Sequence, residues 1–528
     1  MLDILIKNAL IYDGTGRQPY SADIGITGKK IAFVSDSVTA AAELTIDADG
    51  LIASPGFIDV HSHSEFSLIS HPEADSKLLQ GVTTEINGNC GFSAAPIYNE
   101  ARQNLEKEFV LHKVQKRWQT FKEYNEVLFE AKPAINFSTL TGHGNIRASV
   151  LGYKNQAAEG ADIANMAALL RESVSHGSIG MSTGLIYSPG VYSSNAELIE
   201  LIRQSGVSDL IYATHMRSES DAIIESIEDT IEIGRQTGIK IHISHLKTAG
   251  KHNWHKIDAV LRLIADAAAE GIKITCDRYP YTASQTSLDT ALPSWTYEGG
   301  DEAELARLSN PTELKRIKAE TAAFRENDDY WKGVLVSSVK TEKNRHLEGM
   351  SIADAAAMAG AKPIDFAIDL LLEERLAVDA IFFSMNEDNL RRILSLPNCM
   401  VGSDSTIRPI SQHNNGSTGQ SGKPHPRGFG SFPRYLSKYV LSEGLMPLTE
   451  AIRKITGLPA ETFGLKDRGV LRENAYADIT LFDEKRIRDT SDYAQPWRAP
   501  EGIEYVFVNG SLAVKGGSLA PVRAGMLL

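Results

Sequence analysis

The sequence predicts an α/β protein: a (β/α)8 TIM-type barrel carrying a small β-sandwich domain built from both chain termini, with an insertion late in the barrel. Three observations predict it. The middle of the 528-residue chain alternates short apolar runs with longer helical patterns, the signature of parallel β/α repeats. Both ends of the chain instead carry short alternating strands broken by turn residues. Finally, histidine, cysteine and aspartate recur directly after the apolar runs, at the strand ends where such barrels build their sites.

The first segment, Leu2 to about Ser54, reads as short strands in DILIKNALIYDGTG, ADIGITGKKIAFVS and LTIDADGLIASPG. Its opening, MLDILIKNALIYDG, has no basic end followed by an unbroken apolar region, so it is expected to be a first strand rather than a signal peptide. The same texture returns in ADITLF (Ala477 to Phe482) and in YVFVNGSLAV (Tyr505 to Val514), the latter with an Asn509-Gly510 hairpin turn. Two small β pieces at opposite ends of a chain most easily share one sheet. The predicted domains are therefore 1–54 plus 466–528 for the small unit and 55–465 for the barrel.

Barrel strands are expected at the Phe57, Ile58 and Val60 run of PGFIDVHSHSE and in VTTEINGNC, AINFSTLTGHG, GSIGMSTGL, LIYATH, KIHISH, GIKITCDRYP and CMVGSDS, eight in all. Helical stretches such as NAELIELIRQS and KIDAVLRLIADAAAE separate them. An open doubly wound sheet is the alternative, but no glycine-rich fingerprint follows the first strand. Polar, helical sequence at about 287–349 is expected as an insertion, and VLVSSV and AIFFSM are further strand-like runs without an assigned place. The Gly/Ser-rich run from His413 to Lys423 is expected to form a mobile loop over the site.

Composition narrows the function classes. At 42% hydrophobic and 23% charged residues the chain is ordinary globular protein, which excludes disorder and fibrous repeats. A net charge of -13 argues against nucleic acid or an anionic membrane as partner, since both require clustered Lys and Arg. Cys90, Cys276 and Cys399 are too few and too scattered for a disulfide framework and suit a reducing, cytoplasmic setting. No apolar run approaches the roughly 20 residues of a spanning helix.

The residues that end the predicted strands are His61 and His63, Cys90, His143, His215, His245 and Asp404. His61 and His63 alternate along one strand, so both imidazoles share a face and offer two nitrogen ligands. Each residue has a plainer reading: the histidines as polar strand caps, Cys90 as a small buried hydrophobe, Asp404 as the cap of the next helix. Their shared position at one end of a barrel favours a metal site. His242, inside the KIHISH run, is read as an ordinary histidine.

The motifs PGFIDVHSH, NGNCGFSAAP, GHGNIR, MSTGLIYSPG, THMRSE, ISHLK, DRYPYTAS, GSDS and HPRGFGSFPRYL resemble the amidohydrolase superfamily and, within it, the N-acyl-D-amino acid deacylases. Cysteine in NGNCG, the absence of lysine from MSTGLIYSPG, and HPRGFGSFPR carry the narrower resemblance. It implies one tight Zn2+ site from Cys90, His215 and His245, and a second, weaker one from His61, His63 and Asp404 that the family occupies variably. It also implies Asp404 as general base and acid. Lys247 and Arg427 would hold a substrate carboxylate, with Tyr281, Ser284 and Tyr187 as further substrate-facing hydroxyls and His143 as a donor to the developing oxyanion. The substrate would be a small N-acyl-D-amino acid; a related cyclic amidase or a D- or isoaspartyl dipeptidase is the alternative. Homo-oligomerisation is left open. The chain departs from the family pattern twice: Ser188 stands where proline is expected, and the segment between Asp404 and Arg427 is long, which makes Arg408 a competitor of Arg427.

Overall fold

A computed structural model describes residues 1–324, 328–410 and 422–528. Most of the run His413 to Lys423, expected as a loop over the site, lies outside the described residues. Five strands open the chain: β1 (Leu2–Ile11), β2 (Tyr20–Thr27), β3 (Lys30–Ser35), β4 (Ala42–Asp47) and β5 (Ile52–Pro55). The chain then passes through Gly56 into β6 (Phe57–Asp59), followed by β7 (Val82–Asn87), β8 (Asn136–Gly142), β9 (Ser178–Gly184), β10 (Ile211–His215), β11 (Lys240–Ile243) and β12 (Ile274–Asp277). Three more strands, β13 (Ala283–Ser287), β14 (Val334–Val339) and β15 (Val378–Phe383), precede the short β16 (Cys399–Met400). The C-terminal segment adds β17 (Ile479–Phe482), β18 (Ile503–Val508), β19 (Ser511–Lys515) and β20 (Ser518–Leu519).

All eight strands expected for the barrel fall in one parallel sheet, ordered β16-β12-β11-β10-β9-β8-β7-β6. The two ends of that order meet beyond the strands. Ser62 and Ser405 form an isolated parallel bridge, the Asp404 amide donates to the His61 carbonyl (2.8 Å) and the His63 amide to the Ser405 carbonyl (3.1 Å). Ile58, Val60, Ile86, Leu140, Ile211, Ala213 and Met400 pack in the interior with Phe463 and Leu465. Apolar filling below leaves the polar strand ends above as the only face on which chemistry can be built.

β1 to β5 and β17 to β20 form one nine-stranded sheet, as the similar texture of the two chain ends predicts. β17 pairs antiparallel with β5, which leads directly into β6. The predicted insertion at about 287–349 is part of a unit in which β13, β15 and β14 form a three-stranded antiparallel sheet. The two unplaced runs, VLVSSV and AIFFSM, supply β14 and β15. Helices 301–309, 352–358 and 363–373 pack on this sheet through Leu308, Ile352, Ala355, Ile368 and Leu371.

A buried polar knot ties the terminal sheet to β8. Arg468 Nη1 pairs with Asp478 Oδ2, which also accepts from Asn136 Nδ2 of β8 (3.1 Å). Asp478 Oδ1 accepts from the Asn509 amide (2.8 Å), and Asn509 in turn bonds Asn136 and Arg468 (2.7 and 2.8 Å). All four side chains are buried, so removing one leaves charge without a partner. Asp478→Ala is expected to lower the unfolding free energy by about 3–5 kcal/mol, measurable as a shift of the urea midpoint.

Candidate metal centre

Three of the candidate ligands reach the centre because their backbone is bent there. Cys90 (φ +53°), His245 (φ +37°) and Asp404 (φ +50°) all adopt the left-handed conformation that costs a non-glycine residue about 1 kcal/mol or more. In the NGNCG turn, Gly88 (φ +75°) lies so close to β8 that a Cβ would sit 2.0 Å from the Leu140 carbonyl oxygen. A Cβ on Gly91 (φ +76°) would meet the Gly184 nitrogen at 2.5 Å. Only glycine lets this turn lie flat against the ends of β8 and β9 and carry Cys90 inward.

One ligand atom each from His61, Cys90, His245 and Asp404 lie within 4.8 Å of one another, and His215, Glu219 and His245 form a second such group. Cys90 Sγ is 3.3 Å from His61 Nε2 and 3.4 Å from His245 Nε2. His63 Nε2 meets Asp404 Oδ1 at 3.2 Å. His245 thus belongs to both groups, and Cys90 stands as close to His61 as to its expected partner His245. His215 carries no hydrogen bond on either ring nitrogen although it is buried; Glu219 Oε2 lies 3.5 Å from Nε2. A buried imidazole without hydrogen bonds, beside a thiol and further imidazoles, is a donor set that suits a metal ion such as zinc.

Below these residues sits Asp277, fully buried. It accepts from His61 Nδ1 (3.1 Å), His242 Nε2 (2.9 Å) and the His245 amide (3.1 Å). Burial raises a carboxyl, but His61 and His242 outweigh it and hold Asp277 well below the usual carboxylate range. With Nδ1 of His61 donating to this carboxylate, Nε2 is left as the ligand atom. His242, read from sequence as ordinary, is thus a support for the site.

The electrostatics are those of anions gathered around one point. Burial lowers His61 and His63, yet Asp277, Cys90 and Asp404 push His61 up to about 9, and Asp404 and Cys90 push His63 up to about 10. Burial raises the Cys90 thiol, but His61 and His245 bring it well below its ordinary value, toward the thiolate that binds metals. Asp404 behaves alike: burial is outweighed by Arg427 and His61, and the carboxyl stays well below its usual range.

These groups open into a cavity of about 1260 Å³. His63, Cys90, His215, His245 and Asp404 line it, together with Lys247, Tyr187, Ser284 and Arg427. Arg427 Nη1 donates to Asp404 Oδ2 (2.7 Å), and Lys247 Nζ pairs with Glu219 Oε1 and lies 2.9 Å from His245 Nδ1. Tyr187 packs its ring edge-on to His215, with ring centres 5.1 Å apart.

Two expectations meet a different arrangement. His143 is buried 3.4 Å from Glu197 of the helix Asn195–Ser205, which also binds Arg147, and is not among the described residues that line the cavity. Tyr281 points away, its hydroxyl toward the Pro426 carbonyl (3.5 Å) and its ring under the Arg434 guanidinium. Arg408 is not among the described lining residues, whereas Arg427 is. Besides Asp277 and His242, sequence reasoning missed two residues of the cavity wall. Glu219 follows His215 by four positions in THMRSE, a spacing that was available as a signal. Tyr279 lines the cavity with an unpartnered hydroxyl; burial raises it, but Lys247, Arg278 and Arg427 outweigh that and lower it.

Comparison with known proteins agrees with this geometry. Residues 44–514 match the amidohydrolase family. D-aminoacylase of Alcaligenes xylosoxydans xylosoxydans is 32% identical over 526 residues, covering 100% of this chain and 97% of that protein. N-acyl-D-glutamate deacylase of the same organism is 32% identical over 509 residues, 96% of this chain and 93% of that protein. The crystal structure of N-acyl-D-glutamate deacylase from Bordetella bronchiseptica, complexed with zinc and a phosphonate mimic of the tetrahedral intermediate, matches with a TM-score of 0.84 at 31% identity, covering 100% and 99% of the two chains. The chain belongs to the amidohydrolase family, in its N-acyl-D-amino acid deacylase branch.

Proposed function

We propose that this protein is a zinc-dependent hydrolase that cleaves the amide bond of N-acyl-D-amino acids to a carboxylate and the free D-amino acid. The observation that carries the reading is one cavity joining a Cys-His donor set, an ionised aspartate and two cations. We further read the eight-stranded parallel sheet as a closed TIM-type barrel, 55–465, and the terminal sheet as the small β-sandwich domain, 1–54 plus 466–528. The stereochemical preference rests on the relatives, whose names specify D-configured substrates.

Cys90, His215 and His245 would hold the tight zinc, and His61, His63 and Asp404 a second, weaker one. Zinc supplies Lewis acidity toward a carbonyl oxygen and lowers the pKa of water from 15.7 to about 7. Asp404, kept ionised by Arg427, takes the proton of the attacking water and returns it to the leaving nitrogen. One water is consumed, the C–N bond breaks, and the acid and amine depart. Arg427, Lys247 and Tyr279 are the groups for the amino acid's carboxylate, the guanidinium offering a two-pronged contact. Ser284 and Tyr187 complete the wall beside them.

Replacing Cys90, His215 or His245 by alanine is expected to remove zinc and turnover together, read by elemental analysis beside an amine-release assay; an active variant of any of the three contradicts the site. Asp404→Asn is expected to lower kcat by about 10³-fold, within the range for general acid-base catalysis, while retaining zinc. Lys247→Met and Tyr279→Phe are expected to raise KM for N-acetyl-D-amino acids and leave the corresponding amides, which lack the carboxylate, unaffected. On matched N-acetyl-D- and N-acetyl-L-amino acids, release from the D series alone is the expected result. Zinc without release from either series redirects the assignment to cyclic amides and to D- or isoaspartyl dipeptides.

A further inference from the structure

Lys77 is fully buried, on the short helix Asp75–Leu78 outside the barrel strands, and has no part in the chemistry above. Its ammonium lies where the ends of the parallel sheet meet. Nζ is 2.7 Å from Asp59 Oδ2 on β6 and 2.8 Å from Glu85 Oε1 on β7. It also donates to Ser403 Oγ (3.0 Å) and approaches the Ser405 carbonyl (3.5 Å). The two residues bonded on the eighth-strand side are those flanking Asp404. Asp59 strengthens the same tie: its other oxygen accepts from the Ser403 amide (2.9 Å) and the His61 amide (3.2 Å).

We propose that Lys77 is the positioning residue of Asp404, pinning the segment that carries this carboxylate to the first two barrel strands. The proposal rests on the reading of Asp404 as proton acceptor. Two arguments support it. Asp404 has a left-handed backbone, a conformation that persists only where its surroundings over-determine it. Second, a buried ion cluster is not needed for stability as such, because well-packed apolar side chains of similar volume serve as well or better. What apolar packing does not supply is directional bonding from one cation to three strands, which holds Asp404 3.2 Å from His63 and 3.4 Å from His61.

The test uses the full-length zinc enzyme and two perturbations. Lys77→Met combined with Asp59→Asn and Glu85→Gln removes all three charges at once, so none is left buried and unpaired. Ser403→Ala removes the bond from Lys77 and a longer one from Ser403 Oγ to the His61 carbonyl (3.4 Å), and keeps the ion cluster. Both are expected to retain zinc, since Lys77 bonds Asp59, Glu85, Ser403 and Ser405 and none of Cys90, His215 and His245. The triple variant is expected to lose about 100-fold in kcat, the scale of a ~1 Å misplacement at a reacting centre, with KM within about twofold. Ser403→Ala is expected to lose about tenfold by a smaller displacement, and Ser403→Thr, which keeps the hydroxyl, to restore it. A kcat within about threefold of the parent in both the triple variant and Ser403→Ala overturns the proposal. If the triple variant does not fold, the Ser403→Ala and Ser403→Thr pair decides alone: equal kcat in the two overturns it. Asp404→Asn separates the two levels. Retained turnover there means that the reading of Asp404 has failed; lost turnover there with unaffected Lys77 and Ser403 variants means that only the positioning role has failed.

Discussion

A carboxylate buried away from water must be met by donors, and in this protein the demand of one such group organises the site. Asp277 ends β12 with no exposure and takes bonds from the imidazoles of His61 and His242 and from the amide of His245. Those bonds turn the free nitrogen of His61 toward Cys90 and fix the backbone from which His245 projects. An unpaired carboxylate in such surroundings costs several kcal/mol. The arrangement of first, sixth and seventh strands is therefore set by charge as much as by their apolar faces.

The same economy recurs at the rim. Asp404 is shared between His63 and Arg427, and Glu219 between His245 and Lys247. Each cation suited to a substrate carboxylate thus already holds a carboxylate of the protein. In the proposed reaction a substrate carboxylate would take the place of one of these anions. Each shared carboxylate also stays ionised, which suits Asp404 as a proton acceptor.

Strain and support are separated in the fold. Three site residues sit in left-handed backbone at the tips of loops, while the interior below them is filled by Ile58, Val60, Ile86, Leu140, Phe463 and Leu465. The terminal sheet is fastened to β8 by the buried Arg468–Asp478 pair and its asparagines. Rigid packing underneath lets the strained positions above keep one geometry.

What the sequence by itself determined is local. An apolar run followed by His, Cys or Asp marks a strand and its catalytic end, because side-chain alternation and strand polarity are properties of a few consecutive residues. Eight such runs, the two β textures at the chain ends and His61, His63, Cys90, His215, His245 and Asp404 were legible for that reason. Tertiary structure alone decided which side chains face the cavity. Tyr279 and Tyr281 stand two apart around Pro280, yet one lines the wall and the other lies beneath it. His143 follows a strand as the proposed metal ligands do, but it turns to Glu197, which lies beyond the next strand in the chain. Lys77 gives no sign in a short polar stretch, because its partners come from three strands as far as Ser403. Bonds between residues hundreds of positions apart have no signature in local spacing; only the curl of the parallel sheet brings them into contact.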